Sequence, residues 1–289
     1  MRRFVHLLAN DLKGGYTLRN IDVGPLFADA HAGTGRRFSR LPRPLACFEC
    51  PIKAGRMEFF LLGSKIVVTS AVRMGPDLLH SKSVDPAWAA VGGRLFALRF
   101  DDRIHDWSWD LLPSPPLLDM PFEGDDSDIQ SYGAGDDKNI WVSTAGKGTY
   151  TAGGWALPFD GQVQYIPDYD PCLGFCNKTK DLCSAELTAW ANDEALEPPV
   201  HRKIWDDDVV DDLCSTRWYL ARSHLTYLGY GKFCVTRFFN ITHDFLHVAV
   251  MTAVEATLTY GTGELQMVSR ASRRYKFKLG TSIFYALLN

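Results

Sequence analysis

The chain has 289 residues, of which 46% are hydrophobic, 12% aromatic and 22% charged. This composition supports a buried core and excludes an intrinsically disordered chain. Its 31 basic and 34 acidic residues leave a formal net charge of −3, which does not indicate attraction to nucleic acid or to an anionic membrane. No run of eighteen apolar residues occurs, so we predict no transmembrane helix. We therefore expect neither a nucleic-acid partner nor a membrane.

The N-terminal apolar stretch Phe4–Ala9 is too short for a secretory signal, and we interpret it as an opening β-strand. An odd number of cysteines in a chain long enough to have a core favours free thiols in a reducing compartment. These features predict an intracellular protein of the cytoplasm, the nucleus or both. The seven cysteines are Cys47, Cys50, Cys172, Cys176, Cys183, Cys214 and Cys234.

Short apolar or alternating runs separated by turns recur along the chain, whereas helical periodicity is almost absent. This pattern predicts an all-β fold. Three stretches interrupt it: a predicted loop at Ala28–Pro44, a proline-rich stretch at Pro113–Glu123, and an excursion or short helix at Ala189–Leu213. The predicted strands are Phe4–Leu8, Tyr16–Ile21, Met57–Leu62, Lys65–Val72, Arg94–Phe100, Trp107–Leu111, Ile140–Thr144, Thr149–Thr151, Gln162–Ile166, Cys172–Phe175, Leu182–Leu187, Leu225–Leu228, Phe233–Phe239, Leu246–Tyr260 and Gln266–Lys278.

The strand clusters begin near residues 46, 88, 128, 161 and 218. Propeller blades repeat every 40–50 residues or so, and a chain of this length accommodates about six of them. We therefore predict a single domain over residues 1–289, a kelch-like β-propeller of six blades. In such a ring, the N-terminal strand pairs with C-terminal strands and closes the last blade, which removes exposed sheet edges.

Several segments carry a family resemblance, and they span nearly the whole chain in order. They include Met1–Val5, Tyr16–Asp22, Trp107–Pro116, Trp155–Phe159 and His224–Gly229. The sequence resembles the grass-lineage plant family of unknown function DUF1668. This resemblance implies a plant protein with a propeller-like, kelch-related all-β fold, and it implies no reaction.

The chain departs from similar proteins at two places. Only Thr151–Gly154 separates two motifs that usually flank an additional strand, and Pro76–Pro86 lacks the usual hydrophobic strand. The resemblance therefore implies that one blade is incomplete.

Cysteine spacing raises the question of a zinc site. Cys47 and Cys50 have zinc-type spacing, and Cys172, Cys176 and Cys183 offer further thiolates. Structural zinc sites use cysteines on turns, whereas Cys47 and Cys50 lie near a strand, in which residues three apart point to opposite faces. Cys172 does lie in a predicted turn. Because cysteine is among the most buried residue types, we interpret these thiols as small core residues.

Other candidate groups also have simpler interpretations. His243 and His247 are spaced to share a helix face, but the residues around them favour a strand. Asp168 and Asp170 would form a glycosidase-like pair only at the right carboxyl separation. The acidic runs match no calcium-binding loop, and we interpret them as solvated loops. The basic runs are explained by an exposed loop and by a strand with one solvent-exposed basic face. The runs are Asp125–Asp128, Asp206–Asp212, Arg36–Arg40 and Arg270–Lys278. We assign no catalytic, cofactor-binding or metal-binding residue.

These observations leave three functional hypotheses. The first is a non-enzymatic protein–protein interaction scaffold, because a propeller presents variable loops on a rigid ring. The second is a carbohydrate-active or other enzyme with its site at the mouth of the channel. The third is a divergent, partly degraded paralogue whose shortened blade impairs folding.

Overall fold

A computed structural model describes part of the chain. The described residues are 3–11, 15–28, 38–49, 57–62, 65–70, 87–91, 94–101, 106–111, 129–134, 140–144, 148–150, 158–166, 168–169, 171–185, 201–206, 218–241, 246–261, 263–277 and 281–287.

The described residues form an all-β structure, as the turn-separated runs predict. Within these ranges the helical content is the four-residue α1, Pro25–Ala28, and no described helix is long and apolar enough to span a membrane. The strands are β1 (Phe4–Asp11), β2 (Gly15–Asp22), β3 (Phe38–Ser39), β4 (Ala46–Glu49), β5 (Met57–Leu62), β6 (Lys65–Ser70), β7 (Ala87–Val91), β8 (Arg94–Asp101), β9 (Asp106–Leu111), β10 (Ile129–Ala134), β11 (Ile140–Thr144), β12 (Gly148–Tyr150), β13 (Phe159–Tyr165), β14 (Cys172–Cys176), β15 (Leu182–Ala185), β16 (His201–Lys203), β17 (Trp218–Gly229), β18 (Lys232–Ile241), β19 (Leu246–Leu258), β20 (Leu265–Lys276) and β21 (Thr281–Leu287).

These strands form five sheets. The N-terminal sheet has the order β21-β1-β2-β4, the middle sheet β12-β11-β10-β13-β14-β15-β16, and the C-terminal sheet β17-β18-β19-β20-β3. A hairpin of β5 and β6 and a sheet of β7, β8 and β9 complete the described set. Most neighbouring pairs are antiparallel; β10 with β13 and β20 with β3 are parallel.

The N-terminal strand lies beside a C-terminal strand, as we predicted. β1 pairs antiparallel with β21 from His6 opposite Leu287 to Asp11 opposite Thr281, with an irregularity at Leu8 and Ala9. This pairing ties the two ends of the chain into one sheet and removes one exposed edge of each strand. The closed ring and its six blades stay predictions.

The C-terminal sheet is packed on one face against the N-terminal sheet. Cys234 and Phe238 of β18 and Met251 of β19 are buried there with Val5 and Leu7 of β1. Phe238 is 2% exposed, so its ring contributes almost all of its apolar surface to this interface. We call it the first interface.

The opposite face of the C-terminal sheet packs against the middle sheet. Phe233 and Val235 of β18 are buried with Phe175, Leu182 and Trp205. We call this the second interface. Because both faces of β18 are covered, the strand has a nearly continuous apolar run instead of an alternating pattern.

The second interface also contains a buried charge. Arg237 of β18 is 4% exposed, and its guanidinium carbon lies 5.4 Å from the ring centre of Phe175 and 5.5 Å from that of Trp205. Trp205 in turn donates from Nε1 to Ser269 Oγ at 2.9 Å. Cation–π contacts and this hydrogen bond therefore connect the middle sheet to strands of the C-terminal sheet.

Several local predictions differ from the structure. Ala189–Leu213, interpreted as an excursion or short helix, contains strand β16, and the predicted loop Ala28–Pro44 contains the two-residue β3. Strand β21 lies beyond the predicted set. β16 has the sequence His-Arg-Lys and is exposed, so it has no apolar pattern that predicts a strand. Its extended geometry comes from pairing with β15.

The family-related departures fall elsewhere. The stretches Pro76–Pro86 and Thr151–Gly154 lie outside the described residues, as does the proline-rich Pro113–Glu123.

Candidate functional site

Three turns meet at one end of the C-terminal and middle sheets. The β17–β18 turn and the β19–β20 turn lie at the same end because β17 and β19 run in the same direction in an antiparallel meander. The backbone N–H of Ala256 donates to the carbonyl of Gly231 at 2.7 Å. The third turn follows β13 and carries Asp168 and Tyr169.

Side chains of this third turn contact the β17–β18 hairpin. The hydroxyl of Tyr227 donates to Asp168 Oδ2. A Cβ atom on Gly231 would lie 2.4 Å from the hydroxyl of Tyr169. Gly231 has φ of +68°, so a larger residue there is opposed both by the backbone conformation and by Tyr169.

The turns expose aromatic side chains. Tyr230, at φ of +56° between two glycines, is 83% exposed, and Tyr260 is fully exposed. Leu258 is 59% exposed although it lies opposite Leu265, which packs against the second interface. We call Tyr169, Tyr227, Tyr230, Leu258 and Tyr260 the tyrosine rim.

The rim is rigidly supported. The backbone N–H of Gly263 donates to the carbonyl of Thr259 at 2.9 Å, and the backbone N–H of Thr259 donates to the carbonyl of Glu264 at 2.8 Å. These two hydrogen bonds stabilise the β19–β20 turn. Tyr169 and Tyr227 pack against the second interface. The exposed tyrosines therefore lie on short hydrogen-bonded turns above a packed core.

Charges near the rim are paired with one another. Glu255 accepts hydrogen bonds from Arg270 and forms an ion pair with Lys232, while Arg202 Nη1 donates to Glu264 Oε1 at 2.6 Å. Burial raises the pKa of Tyr227, and its hydrogen bond to Asp168 raises it further. The phenol is therefore protonated at neutral pH, and this end of the molecule presents an aromatic surface bordered by neutralised charges.

A second candidate site lies on the face of the middle sheet opposite the second interface. Cys172, Cys176 and Cys183 are buried together there with Phe159 and Val163, while the alternate residues of β14 point into the second interface. Gly174, between two of the cysteines, lies under Phe159: a Cβ there would be 2.7 Å from that ring. We call this surface the cysteine face.

One thiol of the cysteine face differs from its neighbours. Cys176 Sγ lies 3.7 Å from Nε2 of His201. Burial raises the pKa of Cys176. Hydrogen bonds from the backbone and side chain of Thr179 and from the backbone of Lys178 lower it by more, so the net shift is downward. Burial raises the pKa of Cys183 to about 12.

The structure separates the cysteines considered as zinc ligands. Cys47 is exposed in β4, on a different sheet from the cysteine face, which corrects its interpretation as a core residue, and Cys50 lies outside the described residues. Cys172 is the first residue of strand β14, which agrees with the predicted strand Cys172–Phe175 and corrects its assignment to the preceding turn. Among described residues, no group of three or more histidine, cysteine, aspartate or glutamate side chains has an arrangement that could hold a metal ion.

The other candidates are dispersed. His247 lies in a strand, as predicted, and its Nδ1 is 2.6 Å from Asn240 Oδ1. Asp206 pairs with Lys203 at 3.1 Å. Asp168 belongs to the tyrosine rim's turn. The remaining candidates lie outside the described residues; they are His243, Asp170, Asp125–Asp128, Asp207–Asp212 and Arg36–Arg37.

The C-terminal basic run is less exposed than its alternation suggests. Arg270 pairs with Glu255, Lys276 is exposed, and Tyr275 is buried at the first interface. Arg274, however, is only 8% exposed, which corrects the prediction of one fully wet basic face.

The sequence contains a local signal for the turns of the tyrosine rim but none for the contact of the cysteine face with His201. Gly229, Gly231, Gly261 and Gly263 mark the turns that carry Tyr230 and Tyr260, so the exposed hairpin tips could have been predicted. His201 gave no signal, because it lies 25 residues from Cys176 and in a segment without strand periodicity.

The comparisons with known proteins agree with the sequence resemblance. The DUF1668 family pattern, described as a protein of unknown function, matches residues 2–275. The chain belongs to the DUF1668 family. No curated protein and no solved structure matches it. The family assignment supplies no reaction, so function has to be argued from the tyrosine rim and the cysteine face.

Proposed function

We propose that this DUF1668 chain is a non-enzymatic interaction module that binds another protein through its tyrosine rim. The exposed tyrosines carry the proposal: Tyr230 and Tyr260 project from rigid turns, and Leu258 continues the apolar surface outward from the core. Tyrosine is enriched at the energetic centres of protein interfaces because it offers a large contact area with little conformational freedom to lose.

The charge arrangement supports a protein partner. The carboxylates of Glu255 and Glu264 are bound by arginine, so the rim offers no excess of free positive charge for a phosphate backbone. An aromatic centre with a polar border is the usual composition of a protein-binding surface.

The proposal includes a scaffold of kelch-like propeller type with six blades. Three features support it: two four-stranded antiparallel meanders in chain order (β13 to β16 and β17 to β20), face-to-face packing of successive sheets, and the pairing of β1 with β21. Cys47, Cys176, Cys183 and Cys234 are free thiols, which supports a location in the cytoplasm or nucleus.

The test compares variants at the two ends of β17. Affinity capture from an extract of the producing cells uses the wild type, the double variant Tyr230→Ala/Tyr260→Ala, and Tyr219→Ala, whose residue is 64% exposed at the other end of the strand. We expect a reproducible partner whose recovery falls about tenfold or more in the double variant, the usual effect of removing an interface hot spot. Recovery with Tyr219→Ala should match the wild type.

Two other results would favour the alternatives. Turnover of a glycoside by the purified chain, without a rim-dependent partner, would favour a carbohydrate-active enzyme; Asp168 would then have a role besides accepting from Tyr227. Non-cooperative thermal unfolding of the purified wild type would favour a degraded paralogue.

A further inference from the structure

We propose that Cys176 is a reactive thiol that a hydroperoxide oxidises to a sulfenic acid, with His201 as its proton partner. This modification site is independent of the tyrosine rim and of the proposed interaction function. It rests on the position of one sulfur among groups that no other described cysteine has together.

The first observation is the contact between the thiol and the imidazole. Cys176 ends β14, and His201 begins β16 on the far side of β15. Sγ and Nε2 are 3.7 Å apart, within hydrogen-bond reach for sulfur. Cys176 is 3% exposed and His201 is exposed, so the imidazole that contacts the sulfur is itself accessible from the surface.

The second observation is the turn that follows the cysteine. Lys180 donates its backbone N–H to the carbonyl of Cys176 at 2.9 Å, which folds residues 177–179 back over the end of the strand. This turn places Thr179 and Lys178 close to Cys176 in the chain, and hydrogen bonds from both residues lower the pKa of its thiol. Donors of this kind stabilise a thiolate, and the thiolate is the form that attacks a peroxide.

The other buried thiols provide the contrast. Cys183 lies on the same face, one strand away, and Cys234 lies in the first interface beside Thr236. Burial raises the pKa of each of these thiols to about 12. Sulfurs held in their neutral form are poor nucleophiles, so burial alone does not make a reactive cysteine in this chain.

The reaction balances as a two-electron oxidation. The proton of the Cys176 thiol passes to His201, and the thiolate sulfur then attacks one oxygen of the hydroperoxide. An S–O bond forms and the O–O bond breaks; the sulfur is oxidised and the peroxide is reduced. The departing oxygen takes the proton from His201, so a thiol and a hydroperoxide give a sulfenic acid and an alcohol, or water when the oxidant is hydrogen peroxide.

The experiment measures oxidation residue by residue. The reduced full-length chain is treated with limiting hydrogen peroxide in the presence of a cyclic 1,3-diketone that traps sulfenic acids, and the labelled peptides are quantified by mass spectrometry. We expect Cys176 to be labelled at least about tenfold faster than Cys183 and Cys234, in line with their thiolate fractions. Labelling of Cys176 no faster than that of Cys183 would overturn the proposal.

Variants distinguish a specific site from simple exposure. His201→Gln should slow labelling of Cys176 several-fold, whereas His247→Gln, which changes a histidine on another sheet, should leave the rate unchanged. Thr179→Val should also slow it, because it removes a side-chain donor. Equal rates in wild type and His201→Gln, with circular dichroism showing both folded, would contradict the role of the imidazole.

Discussion

The two interfaces of the C-terminal sheet are built differently. The first interface, against the N-terminal sheet, is dominated by apolar side chains such as Phe238 and Met251. The second, against the middle sheet, places the guanidinium of Arg237 over the rings of Phe175 and Trp205 and adds the hydrogen bond from Trp205 to Ser269. The first interface therefore depends on buried area, and the second also depends on the orientation of a few polar groups.

The difference bears on the tyrosine rim. Tyr169 and Tyr227 pack at the outer end of the second interface, so the directional contacts that align the two sheets also align the turns that carry the rim. Apolar packing is not directional and tolerates small shifts, whereas a planar guanidinium over two rings fixes an orientation. The second interface thus sets the geometry of the proposed binding surface.

The largest expected effect is at the first interface. Phe238→Ala should lower the free energy of unfolding by about 3–5 kcal/mol, because it leaves a cavity beneath the N-terminal sheet. Urea unfolding followed by tryptophan fluorescence measures the loss. Phe38→Ala is the matched control, since Phe38 is 45% exposed and its truncation should cost far less. Similar losses for the two variants would show that the apolar first interface does not stabilise the fold.

A smaller and more selective effect is expected at the second interface. Arg237→Lys should lower the free energy of unfolding by about 2 kcal/mol, because a strongly hydrated ammonium replaces a planar group that stacks on two rings. Arg237→Met should cost less, since its thioether fills the same aromatic slot without a buried charge. Chemical denaturation of both variants measures the order. A greater loss of unfolding free energy in Arg237→Met than in Arg237→Lys would mean that the positive charge, and not the contact with the two rings, stabilises this interface.

The third expected effect is absent at neutral pH and appears only on acidification, in the pH dependence of stability. Nε2 of His224 has almost no accessible surface, its ring lies edge-on to Phe238 at 5.7 Å, and burial lowers its pKa from 6.5 to about 3. Between these two values, the unfolded chain binds a proton that the folded chain does not, so stability should fall as pH falls from 6.5 toward 3.

Replacing this histidine isolates its contribution. His224→Gln should make the urea midpoint fall less steeply between pH 6.5 and pH 4.5 than in the wild type. Both proteins are compared with their own midpoints at pH 7.5, where the histidine is neutral in both states, so a general cost of the substitution cancels. Parallel pH profiles for the two proteins would show that His224 is not the group responsible.

Strand prediction succeeded for several runs with strong apolar patterns, although β21, with the sequence Thr-Ser-Ile-Phe-Tyr-Ala-Leu, was missed. The predicted limits of Met57–Leu62 and Ile140–Thr144 agree with β5 and β11 to the residue, and Phe233–Phe239 lies within β18. β16 was missed because its sequence, His-Arg-Lys, has no apolar position for a pattern to detect. Pairing with a neighbouring strand can impose extended structure on residues that have no preference for it.

The candidate sites were harder to predict. The turn that carries Tyr230 has a local glycine signal, but its contact with Tyr169 joins two sheets that the sequence does not show to be neighbours. The cysteine face depends on a single register: Cys183 lies opposite Gly174, and a shift of one residue would turn it to the second interface. The contact of Cys176 with His201 depends on that register and on β16.

The amino-acid sequence by itself determined that this chain is all-β, that it belongs to DUF1668, and that its first strand lies beside a C-terminal strand. These properties follow from local patterning and from family motifs spread along the chain. The tertiary structure alone decided which buried thiol lies against an imidazole, which arginine lies over two rings, and which tyrosines share one end of the molecule. Each of these depends on strand register and sheet packing, and such distances between remote residues are fixed only when the sheets come together.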